Sequence, residues 1–188
     1  MFFIKASEKL VDFFGHDVAY SMLSYFPNSA VGRYANIFRR CDNSWLEDFV
    51  KNKKVIELGA NDDGKINARY FVEFLGAGEY VGLDPKYKKD AELFLETGKA
   101  RLESIDGLSY LLSQEDCSAL VCSFGVLANG VIDSMGCARK YLEKLCEEIF
   151  RVSDGLTFHI TDYPEYFVRA GFRTVKILPE AKLFFFEK

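Results

Sequence analysis

Histidine is scarce in this chain, with two residues, His16 and His159, among 188. The five cysteines, at positions 41, 117, 122, 137 and 146, include no C-x-x-C pair. Structural zinc draws on paired Cys and His ligands, so that class is excluded and no metal is expected. Cysteines in odd number and without pairing motifs read as reduced, buried thiols of a cytoplasmic protein. Long apolar runs are missing as well. The longest, Ala119 to Ala128, is broken by Ser123 and Gly125 and falls short of the ~20 residues that a membrane span needs. The opening Met1-Phe2-Phe3-Ile4-Lys5 meets a charge too early for a signal peptide, so no membrane partner is expected. An excess of positive charge is also absent. The 24 basic and 28 acidic residues leave a net charge of −4, which disfavours nucleic acid held broadly through its phosphates.

What is present describes a folded protein. A hydrophobic content of 49% with 28% charge is ordinary for a globular chain and excludes a disordered one. The length fits one domain with an appended segment, and 18 phenylalanines point to an aromatic core.

Residues 1–52 read as helical. Ser7 to Gly15, His16 to Tyr25, Val31 to Arg40 and a segment capped by Ser44 each carry spaced apolar residues between helix signals. This segment is locally basic through Arg33, Arg39, Arg40, Lys51, Lys53 and Lys54, a pattern expected of solvated helix faces. From Lys53 the pattern alternates between strand and helix. Strands are predicted over 55–58, 80–83, 100–105, 119–124 and 156–161, and helices over 66–75, 88–97, 108–112, 134–151 and 163–170. Such alternation predicts a mostly parallel sheet covered by helices. Residues 172–178 and 182–187 are separated only by Pro179-Glu180-Ala181, too short for a parallel crossover, so they form an antiparallel hairpin.

The segment of greatest interest is Val55-Ile56-Glu57-Leu58-Gly59-Ala60-Asn61-Asp62-Asp63-Gly64, a buried strand running into a small, acidic turn. Glycine there allows positive φ and a close backbone approach to a ligand. Twenty-five residues after Gly59, Asp84 ends the next strand, Glu79-Tyr80-Val81-Gly82-Leu83, and precedes Pro85. A glycine turn after one strand and an acid ending the next suit a nucleoside ligand, the acid accepting from the ribose hydroxyls. The full G-x-G-x-x-G pattern is absent. Two aspartates in the turn would repel a pyrophosphate, whereas a sulfonium and an ammonium would be welcome.

On these residues the chain resembles the class I S-adenosylmethionine-dependent methyltransferases. Glu57, Gly59 and the turn match that family's first motif, with Asn61 and Asp63 where further glycines are usual and Gly64 one place late. Asp84 matches the acid ending its second strand. Ile149 to Phe158 resembles the family's passage from the late helix into the fifth strand, and Arg169-Ala170-Gly171-Phe172 its entry to the final hairpin. The resemblance covers residues 53–188 and implies a Rossmann-like, doubly wound, seven-stranded α/β sheet with a C-terminal antiparallel hairpin.

It also implies site residues, each with a plainer alternative. Glu57 would orient the turn or face the methionine ammonium. Gly59, Ala60, Asn61, Asp62, Asp63 and Gly64 would cradle the methionine part, and Asp84 and Pro85 would border the ribose. Asp106 would accept the adenine amino group or cap a helix, with Ile105 and Gly107 against the ring. Ser123 and Phe124 would stand where cofactor and acceptor meet, Phe124 being more often core than site. His159, inside an apolar strand, reads as structural. Asn129 stands where some small-molecule members have a histidine, and no catalytic base is identified. The function implied is methyl transfer from S-adenosylmethionine to an unidentified acceptor, small molecule or macromolecule, with residues 1–52 as a substrate lid. A non-catalytic binding or scaffold protein retaining the fold is the alternative, and a nicotinamide-dependent oxidoreductase is disfavoured by the acidic turn and the hairpin.

Overall fold

A computed structural model describes residues 43–60, 64–95, 98–127, 138–179 and 182–188. The first three expected helices, His16, Asn129, Cys41, Cys137 and Asn61 to Asp63 lie outside these residues. The chain divides between Asp48 and Phe49, and the unit from Phe49 to Lys188 carries the whole sheet. Helix α1 (Asn43–Val50) is the one expected after the Ser44 cap.

Strand β1 (Lys54–Leu58) lies inside the sheet, with Val55 through Leu58 all buried. Apolar residues on both faces of a short run are what a strand covered on both sides requires. It pairs in parallel with β2 (Glu79–Leu83) on one side and β5 (Leu120–Leu127) on the other. Parallel pairing continues from β2 to β4 (Lys99–Glu103) and from β5 to β6 (Leu156–Thr161). The expected hairpin is present: β7 (Arg173–Leu178) and β8 (Leu183–Glu187) are antiparallel to one another, and β8 is antiparallel to β6.

Two expectations are corrected. Among the described residues the sheet has eight strands rather than seven, in the order β3-β4-β2-β1-β5-β6-β8-β7. The extra strand, β3 (Ala91–Phe94), replaces the helix predicted over 88–97 and runs antiparallel to β4. Ala91-Glu92-Leu93-Phe94-Leu95 is apolar at four of five positions, so no period separates strand from helix in the sequence. The ladder sets Leu93 across from Ala100 and Glu92 across from Arg101, so a local antiparallel pairing wins.

Helix α2 (Gly64–Arg69) passes without a break into a π-helical turn (Tyr70–Phe74). Through Phe71, stacked on Tyr80 at 5.7 Å and on Phe158 at 6.4 Å between ring centroids, it covers one face of the sheet. Alternate strand residues, among them Ile56, Leu58, Val81 and Val121, join a second buried cluster. It also takes in residues of α3 (Gly107–Leu112), α4 (Ala138–Val152) and α5 (Pro164–Ala170). Helix α5 ends at Gly171, whose φ of 114° turns the chain into β7. Six phenylalanines are among the largest fully buried side chains, as the composition indicates. No helix among the described residues is long and apolar enough to cross a membrane.

Phe167 joins α5 to the hairpin, stacking on Phe186 at 4.4 Å with ring planes 9° apart. Phe167→Ala should cost about 3–5 kcal/mol, the usual range for emptying a buried aromatic site. Urea unfolding of the two proteins measures it; a loss below about 1 kcal/mol would mean that the α5–hairpin contact contributes little.

Candidate functional site

The described candidates stand near the carboxyl ends of β1, β2 and β4, whereas Ser123 and Phe124, expected to end their strand, lie inside β5, which runs on to Leu127. Leu58 stands across from Leu83 on one side and Ser123 on the other. Gly59, the next residue, has φ +69°, and a Cβ built there would lie 2.9 Å from the Cβ of Val126. Left-handed φ and that contact both require glycine. Ala60 is buried and donates its N–H to the Leu83 carbonyl at 3.0 Å, stitching the start of the turn to β2. Gly64 begins α2, packed so closely that a Cβ would meet the Tyr87 hydroxyl at 2.6 Å.

Glu57 is fully buried, and its carboxylate takes internal hydrogen bonds. The Asn67 amide donates to both oxygens at 2.9 and 3.0 Å, and the Tyr80 hydroxyl donates to Oε2 at 2.6 Å. Burial, with the neighbouring carboxylate second, pushes the Tyr80 hydroxyl well above its usual pKa. The same two causes push up the Cys122 thiol, which stands across from Glu57 on β5. These bonds tie β1, β2 and α2 together, so Glu57 fixes both ends of the Gly59–Gly64 turn. A Cβ at Gly82 would lie 2.9 Å from the Tyr80 oxygen and 3.1 Å from the Ala60 Cβ, so glycine there keeps the network intact.

Asp84 is 7% exposed and closes a local turn: its Oδ1 accepts from the Lys86 N–H at 2.8 Å and its carbonyl from Tyr87 N–H at 3.1 Å. Pro85 is exposed in that turn. Asp106 caps α3, accepting from the Ser109 N–H at 3.0 Å. Ile105 is half-buried against the core, and a Cβ at Gly107 would meet Leu58 at 2.9 Å. Phe124 is buried against Phe158, centroids 5.7 Å apart.

Ser123 and His159 face each other across β5 and β6, Oγ to Nδ1 at 2.9 Å, both fully buried. Their proton arrangement follows from one carbonyl. Val121 can only accept, so the Thr157 hydroxyl spends its hydrogen there. Thr157 Oγ1, 2.6 Å from His159 Nε2, must then accept, which places the ring proton on Nε2. Nδ1 is left as an acceptor for the Ser123 hydroxyl. Burial lowers the His159 pKa to about 3, so the ring is neutral. It packs on Phe167 at 4.6 Å and serves the fold rather than proton transfer.

Three residues of this site were not named from the sequence. Asn67 and Tyr80 could have been sought, because a glutamate inside an apolar strand requires donors. Val126 could have been flagged by Gly125, since glycine inside a strand pattern signals a bulge. Of the basic residues, Lys53 pairs with Asp154 at 3.2 Å and Lys54 donates to Gln114 at 2.7 Å, so neither stands open for a ligand. Cys122 and Cys146 are buried as expected, whereas Cys117 is exposed beside Lys188. Among the described residues, no group of His, Cys, Asp and Glu could hold a metal ion. No protein-family model matches this chain, and a search of the curated proteins found no match.

Two measurements test the buried polar groups. Tyr80→Phe removes a donor from a buried carboxylate and should cost about 1–3 kcal/mol, read by chemical unfolding. His159 binds its proton near pH 6.5 when unfolded and near 3 when folded, so its contribution is complete above pH 6.5 and lost as pH falls toward 3. Stability should therefore drop by about 1.4 kcal/mol per pH unit through that window. His159→Gln should flatten this slope; an equal slope in both proteins would show that another group sets it.

Proposed function

We propose that this chain binds S-adenosylmethionine at the carboxyl ends of β1, β2 and β5 and transfers its methyl group to a nucleophilic acceptor. The observation that carries the reading is the strand order. From β1 the chain builds outward through β2 and β4, then returns to lay β5 on the other side of β1. In open α/β sheets ligands bind outside the carboxyl ends where the order reverses. Gly59, in left-handed conformation, stands at that reversal, and the buried Asp84 ends the adjacent strand. Setting aside the edge strand β3, the remaining seven strands and their terminal hairpin support a Rossmann-like reading.

The residues suit that cofactor chemically. A carboxylate offers about four acceptor sites, so a turn bond and a ribose diol can share Asp84. Asp62 and Asp63 give the turn a negative charge that favours a sulfonium and an ammonium over a pyrophosphate. S-adenosylmethionine supplies an activated methyl group, and the protein need only hold the acceptor in line when that acceptor is already nucleophilic. The lid reading of residues 1–52 belongs to the same proposal.

A non-catalytic binding protein is the second reading. It is favoured by the internal commitment of Glu57 and Ser123 and by the side chain packed over Gly59. Calorimetry with S-adenosylmethionine, its demethylated product and NAD separates the possibilities. The first two should bind, and Asp84→Ala should weaken them by about 1.5–3 kcal/mol, the range for hydrogen bonds to a charged group. Unchanged affinity in the variant would remove Asp84 from the site. Competition by NAD at comparable affinity would overturn the electrostatic choice of ligand.

A further inference from the structure

The loop that follows Asp84 carries Lys86, Lys88 and Lys89 around Tyr87, and all three lysines are exposed. The acids that flank them are turned to backbone N–H groups. Asp84 accepts from the Lys86 N–H, and Asp90 Oδ1 accepts from the Ser104 N–H at 2.7 Å. The Ser104 hydroxyl also donates to the Tyr87 carbonyl at 2.6 Å, so the loop is pinned to the segment leaving β4. Among the described residues no carboxylate pairs with Lys86, Lys88 or Lys89. Other cations of the same unit are answered: Lys53 by Asp154, Arg101 by Glu79, Arg151 by Asp116 and Lys182 by Asp162. A pinned loop that keeps its cations uncompensated, in a chain of net charge −4, is a local anion-seeking surface.

We propose that the loop 86–89 docks a single-stranded nucleic acid through its phosphates. Lysine meets phosphate as a compact point charge and needs no shaped partner. No arginine, asparagine or glutamine lies between Asp84 and Asp90, so the loop has no side chain for bidentate reading of a base, and the contact is independent of sequence. A short loop offers neither helix nor ribbon to the major groove of a duplex, which favours a single strand. An anionic lipid surface fits less well. Among the described residues, the exposed large apolar side chains Leu112, Val168, Val175 and Ile177 all lie outside this loop, leaving it no anchor to enter a bilayer. The net charge confines such binding to a local patch, and Asp62 and Asp63 belong to a different loop, the turn after β1. The proposal stands on the loop alone and does not need the cofactor reading.

The test is fluorescence anisotropy of a labelled oligouridine titrated with the full chain across a range of salt, beside flotation with phosphatidylserine vesicles. For wild type, log affinity should fall against log salt with a slope of about −2, the value for roughly three phosphates of a single strand. The triple variant Lys86→Gln, Lys88→Gln, Lys89→Gln should lose about tenfold or more at low salt and flatten that slope. The control variant Arg139→Gln, Lys140→Gln, which removes exposed cations of α4, should leave affinity and slope unchanged. Absence of wild-type binding at low salt, or an equal loss in the triple and control variants, would overturn the proposal. Vesicle binding that the triple variant loses, with no oligouridine binding, would overturn it in favour of a lipid surface. Should the triple variant fail to fold, each single variant should lower the slope by about 0.7, and unchanged slopes in all of them would overturn it as well.

Discussion

The buried carboxylate of Glu57 is the constraint around which the rest of the site is built. Removing a carboxylate from water costs several kcal/mol unless donors replace the lost hydration. Among the described residues its donors include an amide and a phenol, Asn67 from α2 and Tyr80 from β2. Each comes from a different element, so satisfying one charge fixes three pieces of backbone relative to one another. The turn that leaves β1 is therefore anchored before any ligand is considered. A single side chain converts a desolvation cost into positional order.

Other choices follow from that one. Tyr80 reaches Glu57 only because Gly82, two residues on, leaves its oxygen room. Phe71 then stacks on the Tyr80 ring and holds α2 and its π-helical turn on the sheet. On the opposite face, the chain from Val121 through Thr157 and His159 to Ser123 uses every hydrogen it has, and its direction is dictated by a carbonyl that cannot donate. Both networks are buried and, among the described residues, run through neutral donors. They specify the register of β1, β2, β5 and β6, since a slip of one residue would send these polar groups to the wrong face.

Much of the fold was legible because its signals are local. Strand β6 over 156–161, the stop at Gly171 and the hairpin around Pro179 follow from period, glycine and connection length. The segment 91–94 was not, because a short run of Ala, Glu, Leu and Phe has good helix propensity and only its partner decides. At the site, the sequence named residues whose type is suggestive, such as Gly59, Asp84 and Asp106. For Asp106 a helix cap and for Asp84 a turn stood beside the ligand roles as plainer readings, and the structure shows both, each carboxylate accepting from a backbone N–H two or three residues on. Val126 is a different case: a valine in a strand carries no chemical signal, and only the neighbouring Gly125 hinted at the irregularity that brings it to Gly59.

These commitments narrow how a ligand could be selected. Glu57, Ser123 and Asp106 each have their hydrogen-bonding duty inside the protein, so they shape the crevice without offering a strong charged contact of their own. In the proposed cofactor site, selection would rest on Asp84 and on the negative charge of Asp62 and Asp63, which discriminate by sign and by hydrogen-bond donors. Charge acts at a distance and is screened by salt, so a choice made this way weakens as ionic strength rises.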